Sequence, residues 1–71
     1  MCTIILHVKT GKYRTRSGWA KDRSRARDFN GIDNAMDYRA KRPFKHDLQI
    51  IHQAGDKPSL HDIILQDAQA Y

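Results

Sequence analysis

The sequence contains no glutamate, a single cysteine and no long hydrophobic run. All eight acidic residues are aspartates, which favour helix caps and turns over helix interiors, so the acidic side chains are expected to mark the ends of structural elements. Because Cys2 is the sole cysteine, neither an intramolecular disulfide nor a cysteine-based zinc site can form. This cysteine content is typical of a protein in the reducing cytoplasm.

Apolar segments are short throughout the sequence. The run at the start of the chain is too short for a signal peptide and lacks a cleavage-like end. No other segment approaches the ~20 apolar residues that a membrane-spanning helix needs. We therefore expect a soluble, cytoplasmic protein without a membrane partner, and the length of 71 residues predicts a single domain over residues 1–71.

Positive charge is concentrated in the first part of the chain. Of the 13 lysines and arginines, 12 lie in the first 45 positions, where the net charge is +8, whereas the remainder carries −3. Between Lys9 and Arg27, eight cations accompany one acid, Asp22, and Tyr13 and Trp19 are interleaved with them. Cations displace counterions from a phosphate backbone and aromatic faces stack on exposed bases, so this segment is a candidate for binding a polyanion.

The start of the chain predicts a β-hairpin. The segment of residues 3–9 is short and rich in β-branched side chains. In residues 12–16, positively charged and uncharged side chains alternate strictly. Gly11 between them supplies the positive φ that a tight turn requires. Alternation gives the second strand three cations on one face: Lys12, Arg14 and Arg16.

A short third strand at residues 26–29 is expected to lead into the main helix, which is predicted over Asn30–Arg42. Asn30 suits the N-cap with Asp33 three residues later, and Pro43 ends the helix. The stripe at helical spacing comprises Ile32, Ala35, Met36, Arg39 and Ala40.

Two further elements are predicted after the main helix. Residues 48–52 have the pattern of a strand, with Phe44 packing beneath its entrance. Ser59 begins a second capping pattern, which predicts a short C-terminal helix. Its apolar residues are Leu60, Ile63, Ile64 and Ala68. Residues 62–66 suit a strand paired with residues 48–52 equally well, because periodicity does not separate helix from strand in so short a segment.

These elements together predict an α+β domain. A small antiparallel sheet of three to four strands would carry the main helix on one face, and the short C-terminal helix would complete the fold.

A set of packing residues is similar to a pattern found in other small proteins. In chain order these are Trp19, Ala26, Phe29, Asn30 as a cap and Ala35 on the helix. Over roughly Ile4 to Ile51 the chain resembles small bacterial and phage β-α-β proteins of unknown function, and departs from them in its basic stretch before Phe29. The resemblance implies the β-α-β fold of these bacterial-type proteins. They have no established active site whose residues could be assigned to this sequence, so the resemblance favours a function other than catalysis.

The histidines and their neighbours give little support for catalysis or metal binding. No His-x-x-x-His pair occurs among His7, His46, His52 and His61. Neighbouring residues on a strand point to opposite faces, so Asp47 would not orient His46 there. We predict no enzyme, no catalytic residue, no metal site, no cofactor and no small-molecule substrate.

Two functions agree with the sequence. The first is a non-catalytic module that binds another protein or itself, through an apolar segment too hydrophobic for one helix face to bury. This segment comprises Leu60, Ile63, Ile64 and Leu65. The second is a sequence-tolerant binder of DNA or RNA. It would use the basic hairpin and its extension, namely Lys12, Tyr13, Arg14, Arg16, Trp19, Arg23, Arg25 and Arg27.

Overall fold

The computed structural model describes residues 2–55, 57–59 and 61–65. Within them the sheet contains five strands: β1 (Cys2–His7), β2 (Lys12–Arg14), β3 (Trp19–Ala20), β4 (Leu48–Gln53) and β5 (Ile63–Leu65). Helix α1 spans Ile32–Ala40, and single 3-10 turns occur at Arg23–Arg25 and Lys45–Asp47.

Neighbouring strands are antiparallel and lie in the order β3-β2-β1-β4-β5. β1 and β4 form the centre, paired at six positions from Cys2↔Gln53 to His7↔Leu48. α1 contacts β1 and β4. The structure is therefore an antiparallel sheet with a helix packed on it, with five strands instead of the expected three to four. The predicted hairpin and the strand at residues 48–52 are confirmed.

The turn of the β1–β2 hairpin depends on Gly11. This residue has φ 71°, a left-handed conformation that side chains with a Cβ rarely adopt. Its N–H donates to the carbonyl of His7 at 2.8 Å, which closes the turn. The sequence-based role of Gly11 is confirmed.

The hydrophobic core lies between the sheet centre and α1. Ile5 and Ile50 are paired across β1 and β4, so both side chains lie on the same face of the sheet. They are buried together with Leu48, Phe29 and Ala35. Partly buried side chains pack around this cluster: Trp19, Tyr38, Phe44 and Leu65.

The third strand predicted at residues 26–29 is wrong, because this segment bonds to two different strands. The N–H of Arg27 donates to the carbonyl of Arg14 and that of Phe29 to the carbonyl of Thr3, both at 2.8 Å. The segment bonds to β2 and β1 beyond the positions at which these two strands pair with each other. The strand that pairs with the outer edge of β2 is Trp19–Ala20.

Helix α1 begins at Ile32, so the predicted N-cap at Asn30 is wrong. Asp28 Oδ1 accepts the N–H of Asn30 at 2.9 Å, a local turn in which Asn30 takes φ 59°. Gly31 becomes the N-cap and contributes no side-chain bond, so the expected pairing with Asp33 is not formed. With nine residues, α1 is too short to span a membrane, and no helix in the described part of the chain is long and apolar enough to do so.

The buried face of α1 differs from the predicted stripe. Ala35 is buried as expected, whereas Met36 is 49% exposed and Ala40 is also exposed. Tyr38, which the stripe omitted, lies 5.1 Å from Phe29 between ring centroids. Arg39 donates from Nε to the carbonyl of Leu48 at 3.0 Å. The helix is therefore rotated so that Tyr38 covers the core.

The described residues do not form the predicted C-terminal helix. Ile63–Leu65 is strand β5, paired antiparallel with β4, as in the alternative interpretation of this segment. Ser59 and Asp62 do bond as the capping pattern expected, with the Ser59 N–H donating to Asp62 Oδ2 at 3.1 Å. The bond closes a turn before β5, and β5 takes the free edge of β4. Leu60 and Ala68 lie outside the described residues.

Core burial gives a direct test of this arrangement. We expect Ile50→Ala to lower the free energy of unfolding by about 2–5 kcal/mol, because the side chain is only 2% exposed and its loss leaves a cavity. Ile64→Ala removes the same atoms from a side chain that is 48% exposed and should cost about 1 kcal/mol or less. Urea unfolding of both variants measures the difference, and equal losses would contradict the described core.

Candidate functional site

The residues predicted to bind nucleic acid fall into two groups. Four are exposed to solvent: Lys12, Arg16, Arg25 and Arg27. Four are half-buried: Tyr13, Arg14, Trp19 and Arg23. The basic hairpin therefore does not present all its cations on one free face. Lys12 pairs with His7 and Arg14 with Trp19, which places the cations of β2 on the helix side of the sheet.

Arg14 is held between two aromatic rings. Its Cζ lies 5.8 Å from the ring centroid of Trp19 and 5.8 Å from that of Tyr38. Its Nη1 donates to the carbonyl of Gly18 at 3.3 Å. A guanidinium near two ring faces gains cation–π attraction at each, so Arg14 joins β2 to β3 and to the helix.

Arg23 also makes contacts within the protein, on the face of the sheet opposite to α1. Its Nη2 donates to Gln53 Oε1 at 2.8 Å and lies 3.6 Å from Asp62 Oδ2. Gln53 is on β4, and Asp62 comes just before β5. Arg23 therefore ties the 3-10 turn to the other end of the chain and is occupied by these contacts.

Three arginines and three aromatic rings form a connected set, which we call the arginine–aromatic cluster: Arg14, Arg27, Arg42, Trp19, Phe29 and Tyr38. Arg42 Cζ lies 4.1 Å from the Tyr38 ring centroid, and Arg27 Cζ lies 4.8 Å from that of Phe29. Since Phe29 and Tyr38 are themselves in contact, the cluster runs continuously from β3 to the residues that follow α1.

Two adjoining depressions border this cluster, and together we call them the basic groove. One, of about 380 Å³, is lined by Arg27, Lys41 and Arg42 with the ring of Tyr38. The other, of about 310 Å³, is lined by Arg16 and again by Arg27. Arg27 therefore connects them, and the cations come from the turn after β2, the segment before α1 and the residues after α1.

Two aspartates line the groove, and both have partners within the protein. Asp28 Oδ1 accepts the N–H of Thr3 at 3.0 Å and that of Asn30 at 2.9 Å. These backbone bonds hold the pKa of Asp28 below its ordinary value, the bond from Thr3 having the larger effect. Asp37 lies 3.1 Å from the Lys41 ammonium. The groove therefore keeps an excess of cations, four against two carboxylates.

Lys41 and Arg42 were not among the residues predicted to bind nucleic acid, because they lie outside the basic stretch from Lys9 to Arg27. A signal for Arg42 was available: it follows Tyr38 by four residues, the spacing at which side chains meet on a helix. The predicted set was chosen by the density of cations along the chain, which does not show which of them the packing leaves accessible.

A third depression, of about 220 Å³, lies beside the β1–β2 turn, and we call it the aromatic pocket. It is lined by His7, Thr10, Lys12, Trp19 and Phe44. The ring centroids of His7 and Trp19 are 5.7 Å apart and those of His7 and Phe44 are 5.4 Å apart. The half-buried Trp19 therefore packs against the hydrophobic core and also lines the aromatic pocket.

The apolar segment proposed for protein contacts is partly exposed. Ile63 is 49% and Ile64 is 48% exposed, and the two point to opposite faces of the sheet edge because they are neighbours on a strand. Leu65 packs against the core cluster, and Leu60 lies outside the described residues.

The histidines of the two central strands make ordinary hydrogen bonds. His52 Nδ1 and Thr3 Oγ1 share a bond of 2.8 Å, and His7 Nδ1 and Thr10 Oγ1 share another of 2.8 Å. In the part of the chain that the structure describes, no group of three or more histidine, cysteine or aspartate side chains is arranged to hold a metal ion.

The chain matches no protein-family model, no curated protein sequence and no solved structure. The resemblance to small β-α-β proteins therefore stays a prediction.

The lowered pKa of Asp28 predicts how stability depends on acid. A carboxylate whose pKa is depressed by folding stabilises the protein above its unfolded value of 3.8, and this contribution is lost as the pH falls through the folded value. We expect the free energy of unfolding to drop below about pH 4, and to drop less steeply in Asp28→Asn.

Asp37→Asn is the matched control for this experiment, because Asp37 only forms an exposed ion pair with Lys41, and such pairs contribute little. Urea unfolding at several pH values between about 2.5 and 5 measures the slopes. An unchanged slope in Asp28→Asn would show that folding does not lower the pKa of Asp28.

Proposed function

We propose that this protein is a small non-catalytic module that binds nucleic acid by its phosphate backbone, in the basic groove. The observation that carries the proposal is the position of Arg27, which lines both depressions and so brings cations from three separate segments onto one surface. This is the second of the two functions expected from the sequence, with a changed set of residues: Arg16, Arg27, Lys41 and Arg42.

The chemistry of the groove suits phosphate groups. Guanidinium groups donate in a planar fork that matches phosphate oxygens. The Tyr38 ring holds Arg42 from one side, and the Phe29 ring holds Arg27. Less side-chain freedom is then lost when a ligand binds. Binding would release counterions from the nucleic acid and would not depend on its sequence.

Two carboxylates and two amides also line the groove: Asp28, Asp37, Asn30 and Asn34. Asp28 uses one carboxylate oxygen for two backbone donors, and Asp37 pairs with Lys41. Contacts to phosphate position a nucleic acid without specifying its sequence. The proposal therefore keeps the sequence-tolerant binding that the composition suggested.

Substitution of the groove arginines tests the proposal. We expect Arg27→Gln and Arg42→Gln each to weaken binding of a labelled oligonucleotide several-fold and to reduce the dependence of log K on log salt by ~1, because each removes about one phosphate contact. Fluorescence anisotropy at salt concentrations of about 50 and 200 mM measures both quantities.

Arg25→Gln is the matched control for the groove variants. Arg25 is exposed, belongs to the originally predicted set and lines neither depression of the basic groove, so its loss should leave the salt dependence nearly unchanged. Circular dichroism confirms that the variants remain folded. The absence of salt-sensitive binding of wild-type protein to either DNA or RNA would overturn the proposal.

A second candidate function, self-association, is favoured by the exposure of β5. Ile63 and Ile64 expose about half of their surface at the sheet edge, and β4 is the only strand that pairs with β5 among the described residues. An apolar edge strand is a template for pairing with another chain. Two copies related by a two-fold axis could join their β5 strands and extend the sheet.

Sedimentation equilibrium tests the self-association of this edge. We expect a concentration-dependent dimer in the wild type and a monomer in Ile64→Lys, because a charge on the edge opposes strand pairing. Val8→Lys places the same charge at an apolar side chain that is 44% exposed in the β1–β2 turn and should still dimerise. A wild-type protein that stays monomeric at the highest concentration would contradict this function.

A further inference from the structure

The aromatic pocket is not used by the proposed backbone contacts, although it has the features of a binding site for a flat ring. Its three rings meet edge to face, with interplanar angles of 70° for His7 and Trp19, 77° for His7 and Phe44, and 63° for Trp19 and Phe44. Rings inclined in this way form walls around a hollow instead of one flat platform. A planar ligand can stack on one wall while its edge meets another.

The pocket also has a polar rim. The hydroxyl of Thr10 and the ring of His7 share a hydrogen bond of 2.8 Å, which fixes the orientation of the His7 wall. Lys12 lines the same pocket and is exposed, so its ammonium group is available to an anion. Thr10 and Lys12 flank Gly11, whose closed turn holds both in place. Little rearrangement is needed before a ligand enters.

Arg14 contacts one ring of the aromatic pocket and one ring of the basic groove. Trp19 lines the pocket and Tyr38 lines the groove. Arg14 Cζ lies 5.8 Å from the centroid of each ring, so the two centroids are at most twice that distance apart. One extended polymer can therefore contact the pocket and the groove at the same time.

We propose that the aromatic pocket takes an unstacked base of a single-stranded nucleic acid whose phosphates lie in the basic groove. This inference rests on the function proposed above and specifies its ligand as single-stranded. Stacking on an aromatic side chain is tolerant of sequence because every base has a π-face. In a duplex the bases are already stacked and paired, and bringing one into the pocket would cost a few kcal/mol.

The test uses the intrinsic fluorescence of the wild-type protein. Trp19 is the single tryptophan of the chain and lines the aromatic pocket, so its emission reports on this pocket. We compare a single-stranded oligothymidine, a DNA duplex of the same length, and an oligomer of that length with abasic sites throughout, all at one low salt concentration. Anisotropy with labelled oligomers measures binding in parallel.

We expect the single strand to quench Trp19 and to bind about tenfold or more tightly than the duplex, a difference of about 1.4 kcal/mol. The abasic oligomer keeps the phosphates, so it should bind with similar salt dependence and leave Trp19 emission unchanged. Equal binding of all three without quenching, or equal quenching by the abasic oligomer, would overturn the base pocket and leave the groove proposal standing. Failure of all three to bind would overturn the groove proposal and with it the pocket.

A pair of variants in the turn provides a second readout. Lys12→Gln removes the cation at the pocket rim and should weaken single-strand binding several-fold. Lys9→Gln changes an exposed lysine in the same turn that does not line the pocket, and it should behave as wild type. Equal effects of the two variants would contradict a specific role of the pocket rim.

Discussion

The pairing of β1 with β4 is the interaction on which the rest of the structure depends. It joins the first strand to a strand that follows α1 through six residue pairs and buries Ile5 and Ile50 on the helix side. Closing a loop of this length costs chain entropy, which the burial at the sheet centre must offset. All the segments between the two strands, including α1 and the outer strands β2 and β3, are then confined to positions around this centre, and so are the cations that they carry.

Local signals predicted the β1–β2 hairpin, β4 and the presence of α1, and contacts between distant residues decided the remaining elements. The hairpin follows from Gly11 and from alternation, and β4 from its apolar run. The start of α1 differs from the prediction because Asp28, which accepts the N–H of distant Thr3, also accepts the N–H of Asn30, and the cap moves to Gly31. Likewise, β5 is a strand because β4 offers an unpaired edge, which the sequence of Ile63–Leu65 does not show. The convergence of separate segments on the basic groove depends on this tertiary packing too.

Arginine has two separate uses in this small domain. A chain of this length has little apolar material for a core, and long arginine side chains extend it by covering aromatic surface while their charged ends reach polar partners. Arg14 lies between two rings, and Arg23 bridges Gln53 and Asp62. The density of cations in the sequence therefore overstates the charge available to a ligand. The groove gathers four of the cations that remain accessible, including Lys41 and Arg42 from outside the basic stretch.

The guanidinium of Arg14 lies 5.8 Å from the ring centroids of both Trp19 and Tyr38, one of which lines the aromatic pocket and the other the basic groove. Tyr38 is also the ring that holds Arg42. Replacing Arg14 would therefore disturb both rings at once, and a lower affinity in such a variant would reflect altered packing as well as a lost charge.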